Sequence, residues 1–476
     1  MNEPLAQTVP GVATEPLGSG PNGIRRSGPQ RPGELLRALS RARRTAALYD
    51  ANHPMVKQTF DEVRQLIEQF LATHSSLRLF IHEDTFFLEN TVLLEESLQL
   101  YSLLVDLKER EIGTIEIHTG LESWELGRFV EILNLRAAEV KRLGGATAHL
   151  EQHEVHHITV GRLQALPPAQ KTNLKVDSGD AYRAGLRVVD ELNFQASRGL
   201  PLELRKARLV VTWLIDIVTH DKVALMAMSA LKNYDEDTCH HSVNVSILSL
   251  LVGYKLQFDR TVMATLGLGA LLHDIGKVRI PRDILGRPGP LTSGEQEIIR
   301  RHTLYGARML RDLPHPARLA MVIAFEHHAN YDLSGYPRIT VKKSPHLLTR
   351  VVQLADFFDA STAARRVHQR AMLPSEAMKF ILDGAGKTFD PVLARAFVEV
   401  LGLHPVGSLV ELDTGDLAVV VRPAEHDVSR PAVKVFRNKT GEAIAPYRVS
   451  LDGEPERRIV RALDPFELGV DVTAYL

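Results

Sequence analysis

The chain has 476 residues, too many for one compact core, so two or three domains are expected. Its 57 Lys and Arg against 58 Asp and Glu leave a formal net charge of −1, which gives no global pull toward a nucleic-acid polymer or an anionic membrane. A single cysteine, Cys239, excludes an intramolecular disulfide and fits a reducing compartment; with no stretch near the roughly 20 apolar residues of a membrane helix and no signal-type segment, a cytoplasmic protein without membrane contact is expected.

Residues 1–33 hold six prolines and six glycines and little apolar content, and are expected to form a disordered tail. A helical pattern starts at Glu34 and continues through Arg44. A second runs from about Pro54 to Leu71, with Val56, Phe60, Val63, Ile67 and Leu71 on one face. Alternation at Leu77, Leu79 and Ile81 predicts a strand, and Thr85 to Leu94 a second strand or a hairpin about Glu89-Asn90. Helices are predicted over Leu98–Lys108 and Trp124–Leu135, with a strand at Thr114–Ile117 between them. Residues 34–165 therefore read as a small α+β domain. They contain no Cys/His metal spacing, no glycine-rich phosphate loop and no nucleophile elbow, which leaves a regulatory or interaction module.

Pro167, Pro168 and the polar run to Asp180 read as a linker, followed by connecting helices to about residue 220. Helical periodicity then dominates from Ala181 to Leu403. Val210, Trp213, Leu214 and Ile217 form a stripe expected to face a core. After Pro405 short runs such as Val419-Val420-Val421 and Val433 to Phe436, punctuated by Gly415, Pro423 and Asn438, predict a small all-β appendage over 406–476. The fold class is mainly α, with a helical domain at 221–405 between an N-terminal α+β domain and that appendage.

The chemistry concentrates between Asp237 and Asp359. Asp237 and His241 are four apart and share a helix face. His273-Asp274 follows the apolar run Leu266 to Leu272, with Gly276 expected to let the chain turn and Lys277 four residues after His273. His302, His327-His328 and Asp356 complete a set of imidazoles and carboxylates suited to Fe, Mn or Zn. A lone histidine is ordinarily only a hydrogen-bonded residue. A set of this size would be expensive to bury without a shared partner. His240 and Cys239 are read as bystanders, since adjacent helix positions point in different directions.

These residues resemble the HD-GYP family, the cyclic di-GMP phosphodiesterase branch of the HD phosphohydrolases. His273-Asp274-Ile275-Gly276-Lys277 looks like its HDIGK motif. Val278 to Pro281, Pro288 to Thr292, His302, His327-His328, Gly335-Tyr336-Pro337 and Ala355 to Ala360 follow in the family's order over about 221–405. The resemblance implies an all-helical HD-type domain in which His241, His273, Asp274 and Asp356 hold a first divalent metal, Fe or Mn. Asp274 then bridges to a second metal, held also by His302 and His327 or His328. Asp237 stands where some members carry a glutamate for a third metal; the shorter side chain reaches less far, so two ions are expected. Lys277 is implied as a catalytic and phosphate contact beside Asp274, Tyr336 as a wall of the ligand pocket, and Arg365 or Arg366 with Arg370 as phosphate ligands. The implied function is hydrolysis of cyclic di-GMP to pGpG or GMP in bacterial second-messenger signalling, with a homodimer or a signalling partner working through the N-terminal domain. Two alternatives stand beside it: a non-catalytic module that binds a cyclic dinucleotide or a partner protein, and an HD hydrolase for another nucleotide. They arise because Ala329-Asn330-Tyr331-Asp332-Leu333 replaces the family's usual Glu-Arg-Trp-Asp-Gly, and Arg338 to Ser344 its following glycine-rich stretch.

Overall fold

Two amphipathic segments open the structure as helices α1 (Pro32–Leu48) and α2 (Pro54–Leu71), which pack on each other through Leu36, Leu39, Val63 and Ile67. The computed structural model describes residues 32–162, 176–230, 238–287, 289–339, 344–363, 371–454 and 456–476. The segment read as a tail lies outside these up to residue 31, and Pro32 and Gly33 already belong to α1.

Strands β1 (Ser76–His82), β2 (Thr85–Leu88), β3 (Thr91–Leu93), β4 (Thr114–His118) and β5 (Ile158–Gly161) form an antiparallel sheet of order β3-β2-β1-β4-β5. Glu83 and Asp84, both at positive φ, close the two-residue β1–β2 hairpin and set its register, His82 opposite Thr85. The predicted hairpin about Glu89-Asn90 is β2–β3. The predicted helix at Leu98–Lys108 is instead two helices, α3 (Leu94–Gln99) and α4 (Tyr101–Glu109), separated at Leu100, whose backbone leaves helical geometry. Helices α5 (Ser123–Asn134), α6 (Ala137–Arg142) and α7 (Ala146–Gln152) complete this half. Its most deeply buried carboxylate among the described residues, Glu125, accepts backbone N–H bonds from Glu122, His156 and His157 and a side-chain bond from His157, which ties the approach to β5 onto the start of α5.

A helical body follows: α8 (Ser178–Arg198), α9 (Leu204–Ala230, kinked at Asp221), α10 (Thr238–Lys255), α11 (Arg260–Leu272), the short α12 (Arg282–Leu285), α13 (Ser293–Arg300), α14 (His302–Leu310), α15 (Leu319–Glu326), α16 (Leu347–Thr362), α17 (Pro374–Asp383) and α18 (Pro391–Leu401). α10 is buried on every side from His241 to Gly253, where after His241 only small or singly polar residues, Ser242, Asn244, Ser246 and Ser249, interrupt the apolar sequence. That composition suits a central helix, and it packs against α8, α9, α11, α16 and α18. The stripe of Val210, Trp213, Leu214 and Ile217 lies in this core, as its spacing predicts. The Trp213 indole N–H donates to Thr85 Oγ1 at 2.8 Å, and α3 packs on α8, so the two halves share a buried seam. Beyond it, strands β6 (Leu409–Leu412), β7 (Leu417–Arg422), β8 (Ala432–Arg437), β9 (Ala443–Ser450) and β10 (Ile459–Leu463) make a second antiparallel sheet of order β10-β6-β7-β8-β9. The molecule is mainly α, with an α+β part before the helical body and a β part after it. Among the described residues no helix is long and apolar enough to cross a membrane.

Candidate metal centre

The candidate ligands sit where helices end. His241 lies in the first turn of α10; His273 caps α11, and Asp274 begins the 3-10 turn Ile275–Arg279; His302 opens α14; His327 caps α15, with His328 next; Asp356 lies inside α16. These positions are far apart in sequence, yet packing brings them into two groups. His241, His273 and Asp356 form one, and Asp274, His302, His327 and His328 the other, each with ligand atoms within 4.8 Å of one another. Asp274 touches both: Oδ2 lies 3.4 Å from His273 Nε2 and 3.6 Å from His241 Nε2, while Oδ1 lies 3.3 Å from His302 Nε2 and 3.7 Å from His327 Nε2. His240 joins neither group. Asp237, Arg365, Arg366 and Arg370 lie outside the described residues.

The helix ends also set which imidazole nitrogen faces the cavity. The last carbonyls of a helix lack intrahelical partners. His273 Nδ1 donates to Ala270 O at 2.7 Å, His302 Nδ1 to Ile299 O at 2.7 Å, and His327 Nδ1 to Ala324 O at 3.0 Å, all three carbonyls being in last turns. With Nδ1 held as the donor, each ring when neutral aims its Nε2 lone pair inward, the form a metal needs. His302 Nε2 and His327 Nε2 then face each other at 3.2 Å as two acceptors, and His273 Nε2 and Asp274 Oδ1 are buried without a hydrogen-bond partner. Such an arrangement is costly unless a cation shared by these lone pairs compensates it. The donor set therefore fits divalent metal, with Asp274 in reach of both groups.

The two groups differ in proton affinity. Burial drives the imidazoles of His302 and His327 below the ordinary value, His327 far below, and takes His328 down to about 4. Burial opposes charge on His241 and His273 too, but carboxylates outweigh it: Asp356 and Asp359 raise His241, and Asp274 with Asp356 lifts His273 to about 10. Asp274 and Asp356 stay well below the carboxylate range despite burial, Asp274 through Lys277 and His273, Asp356 through His241 and the nearby His273 imidazole.

Two details add to the sequence reading. Gly276 is not at positive φ; it is required because the 3-10 turn rests directly on α14. A Cβ there would lie 2.5 Å from Gly306 N and 2.9 Å from the His302 carbonyl carbon, with the carbonyl oxygen closer still. Lys277, expected to face substrate, bonds its ammonium to Asp274 Oδ2 at the rim of the cavity. Residues the sequence reading left without a role also enter the site. Asp359 Oδ2 accepts from His241 Nδ1 at 2.7 Å, and Asp359 Oδ1 from Asn244 Nδ2 at 2.9 Å. The three-residue spacing from Asp356 to Asp359, which places both on one face of α16, was the available signal.

The loop after His328 doubles back on it. Tyr336 N donates to His328 O at 3.2 Å, and the Tyr336 ring lies against the His328 ring with centroids 4.6 Å apart. Gly335, at φ +89°, is held so close to His328 O that a side chain would clash. On its outer side Tyr336 meets the Arg300 guanidinium at 5.2 Å. Tyr336 thus braces a candidate ligand. Leu333, at the place where the family has glycine, keeps the glycine-type backbone with φ +67°. The loop turns there with a side chain in the left-handed region, at the strain that conformation carries.

Residues 213–393 match the model of the HD domain family. Over 226 residues the chain is 36% identical to a cyclic di-GMP phosphodiesterase of Pseudomonas aeruginosa, covering 48% of this chain and 54% of that one. It is 34% identical over 226 residues to a cyclic di-GMP phosphodiesterase of Thermotoga maritima, covering 47% and 58%. It is 32% identical over 168 residues to a 3′3′-cGAMP-specific phosphodiesterase of Vibrio cholerae, covering 35% and 36%. The chain thus spans little more than half the length of the first two.

Proposed function

The chain belongs to the HD-GYP family of HD domains, and from that premise we propose that it is a metal-dependent phosphodiesterase that opens a cyclic dinucleotide, cyclic di-GMP first, to pGpG or GMP. One observation carries the reading: seven candidate ligands form two groups about Asp274, where His302 Nε2 faces His327 Nε2 and where His273 Nε2 and Asp274 Oδ1 are buried without a hydrogen-bond partner. His241, His273, Asp274 and Asp356 would hold one divalent ion, Fe or Mn, and Asp274, His302, His327 and His328 the second. Ions bound there supply Lewis acidity and lower the pKa of water to near neutrality.

The protein's own groups do the rest. The helix-end carbonyls hold the imidazoles in the ligating tautomer. Lys277, part-exposed at the rim, is placed to exchange its bond to Asp274 for an anionic phosphate oxygen and to stabilise charge developing there. Tyr336 keeps His328 in place and walls the mouth of the cavity. The substituted segments at 329–333 and 338–344 and the similarity to a cGAMP-specific enzyme favour a second reading, in which a mixed cyclic dinucleotide is the better substrate. The test is turnover of cyclic di-GMP and of 3′3′-cGAMP by purified protein with Mn(II) or Fe(II), beside Asp274→Ala. Metal-dependent linear product from wild type alone is expected; equal, absent turnover of both substrates by both proteins refutes the proposal.

A further inference from the structure

The metal ligand His241 is held from behind by a chain of three buried side chains. Its Nδ1 donates to Asp359 Oδ2 at 2.7 Å; Asp359 Oδ1 accepts from Asn244 Nδ2 at 2.9 Å; Asn244 Oδ1 accepts from the Tyr182 hydroxyl at 2.9 Å. All four residues are less than one-tenth exposed. The direction of every bond follows from the first. A carboxylate only accepts, so Asn244 must turn its amide N–H groups to Asp359 and its oxygen to Tyr182, which must therefore donate. The chain leaves His241 one arrangement: proton on Nδ1, Nε2 toward Asp356 Oδ1 at 3.1 Å.

Its far end lies outside the HD segment. Tyr182 belongs to α8, before the matched residues 213–393, on the helix against which α3 of the N-terminal half packs. We propose that Tyr182 is a positioning residue for the metal site of His241, His273 and Asp356, acting through Asn244 and Asp359. The inference rests on the metal-binding reading above. It adds that a helix beyond the HD domain sets the affinity of one of the two ions and not the other. The imidazoles of His302 and His327 in the second group are oriented instead by carbonyls of α13 and α15, and that group meets His241 at the shared Asp274.

Apo protein titrated with Mn(II), with free ion counted by electron paramagnetic resonance, tests this. Wild type is expected to bind two ions per chain. Asp359→Asn, which offers His241 Nδ1 an amide and thereby the wrong tautomer, is expected to weaken one of them roughly 10–100-fold, the usual effect of losing an outer partner of a ligating histidine. Tyr182→Phe is expected to weaken the same ion by about tenfold, at the lower end of that range, and to leave the other unchanged. A His302→Ala background, which cripples the second group, identifies which ion is affected. Circular dichroism melting of the apo forms shows whether each variant folds. Equal weakening of both ions, or wild-type affinities in Tyr182→Phe, overturns the proposal. A wild type that binds no Mn(II) overturns the metal reading itself, a separate and recognisable failure.

Discussion

Replacing Gly276 by alanine tests whether direct backbone contact between the 3-10 turn and α14 sets the position of His302. The new Cβ would sit 2.5 Å from Gly306 N and nearer still to His302 O, where an ordinary contact needs about 3.5 Å. Both neighbours are main chain, so no side chain can swing aside; the start of α14 must move by roughly 1 Å. His302 is the first residue of that helix and moves with it. Forcing a methyl into packed backbone costs about 1–3 kcal/mol. A ligand atom must stay within about 0.2 Å of its proper distance from a metal, so the second ion should be lost or greatly weakened. Turnover should fall by about 100-fold. Gly306→Ala is the control from the opposite side of the contact. Its Cβ would meet Ala324 Cβ and Gly276 N at 3.4 Å, ordinary separations, and a glycine-to-alanine change inside a helix gains up to about 1 kcal/mol. Metal content by mass spectrometry, thermal melting and turnover should separate the two variants. The reasoning fails if Gly276→Ala keeps both ions and its activity, or if Gly306→Ala loses as much.

In the metal-free protein His273 holds its proton to about pH 10, above the unfolded value of 6.5, so this stabilisation is full below about pH 6.5 and is lost as pH rises through about 10. Mn(II) loading at pH 7 must expel that proton; calorimetry in buffers of different ionisation enthalpy should show the release, and a buffer-independent heat would contradict the assignment. Glu125 is harder to protonate than a free glutamate; burial works against this, but the N–H groups of Glu122, His156 and His157 prevail. Its contribution is therefore present above about pH 4.5 and lost as pH falls through the depressed value. Glu125→Gln, which points an amide N–H at a backbone N–H, should cost about 1–3 kcal/mol in urea unfolding and flatten the acid limb of the stability curve. Thr85→Val leaves the buried Trp213 N–H without its acceptor and should cost about 1–3 kcal/mol; an unchanged urea midpoint would show that the seam does not depend on that bond.

The composition of the site was legible before the fold was. Imidazole and carboxylate are chemical identities, and His273-Asp274, His302, His327-His328 and Asp356 announce themselves by residue type and order. Helical period likewise marked the Trp213 stripe, because a helix writes its buried face into local spacing. Only tertiary packing decided the rest. Spacing says nothing of which helix end meets which; the division of the ligands into two groups about Asp274 came from the family resemblance, and packing supplies its physical cause. The tautomers depend on carbonyls left free at the ends of α11, α13 and α15. Gly276 was read as a turn residue, because a sequence shows a missing side chain but not the helix pressed against it. Tyr182 and Asn244 carry no motif at all; they matter because α8 and α10 pack side by side, 62 residues apart along the chain, and a buried hydrogen bond must find its partner wherever the fold places one.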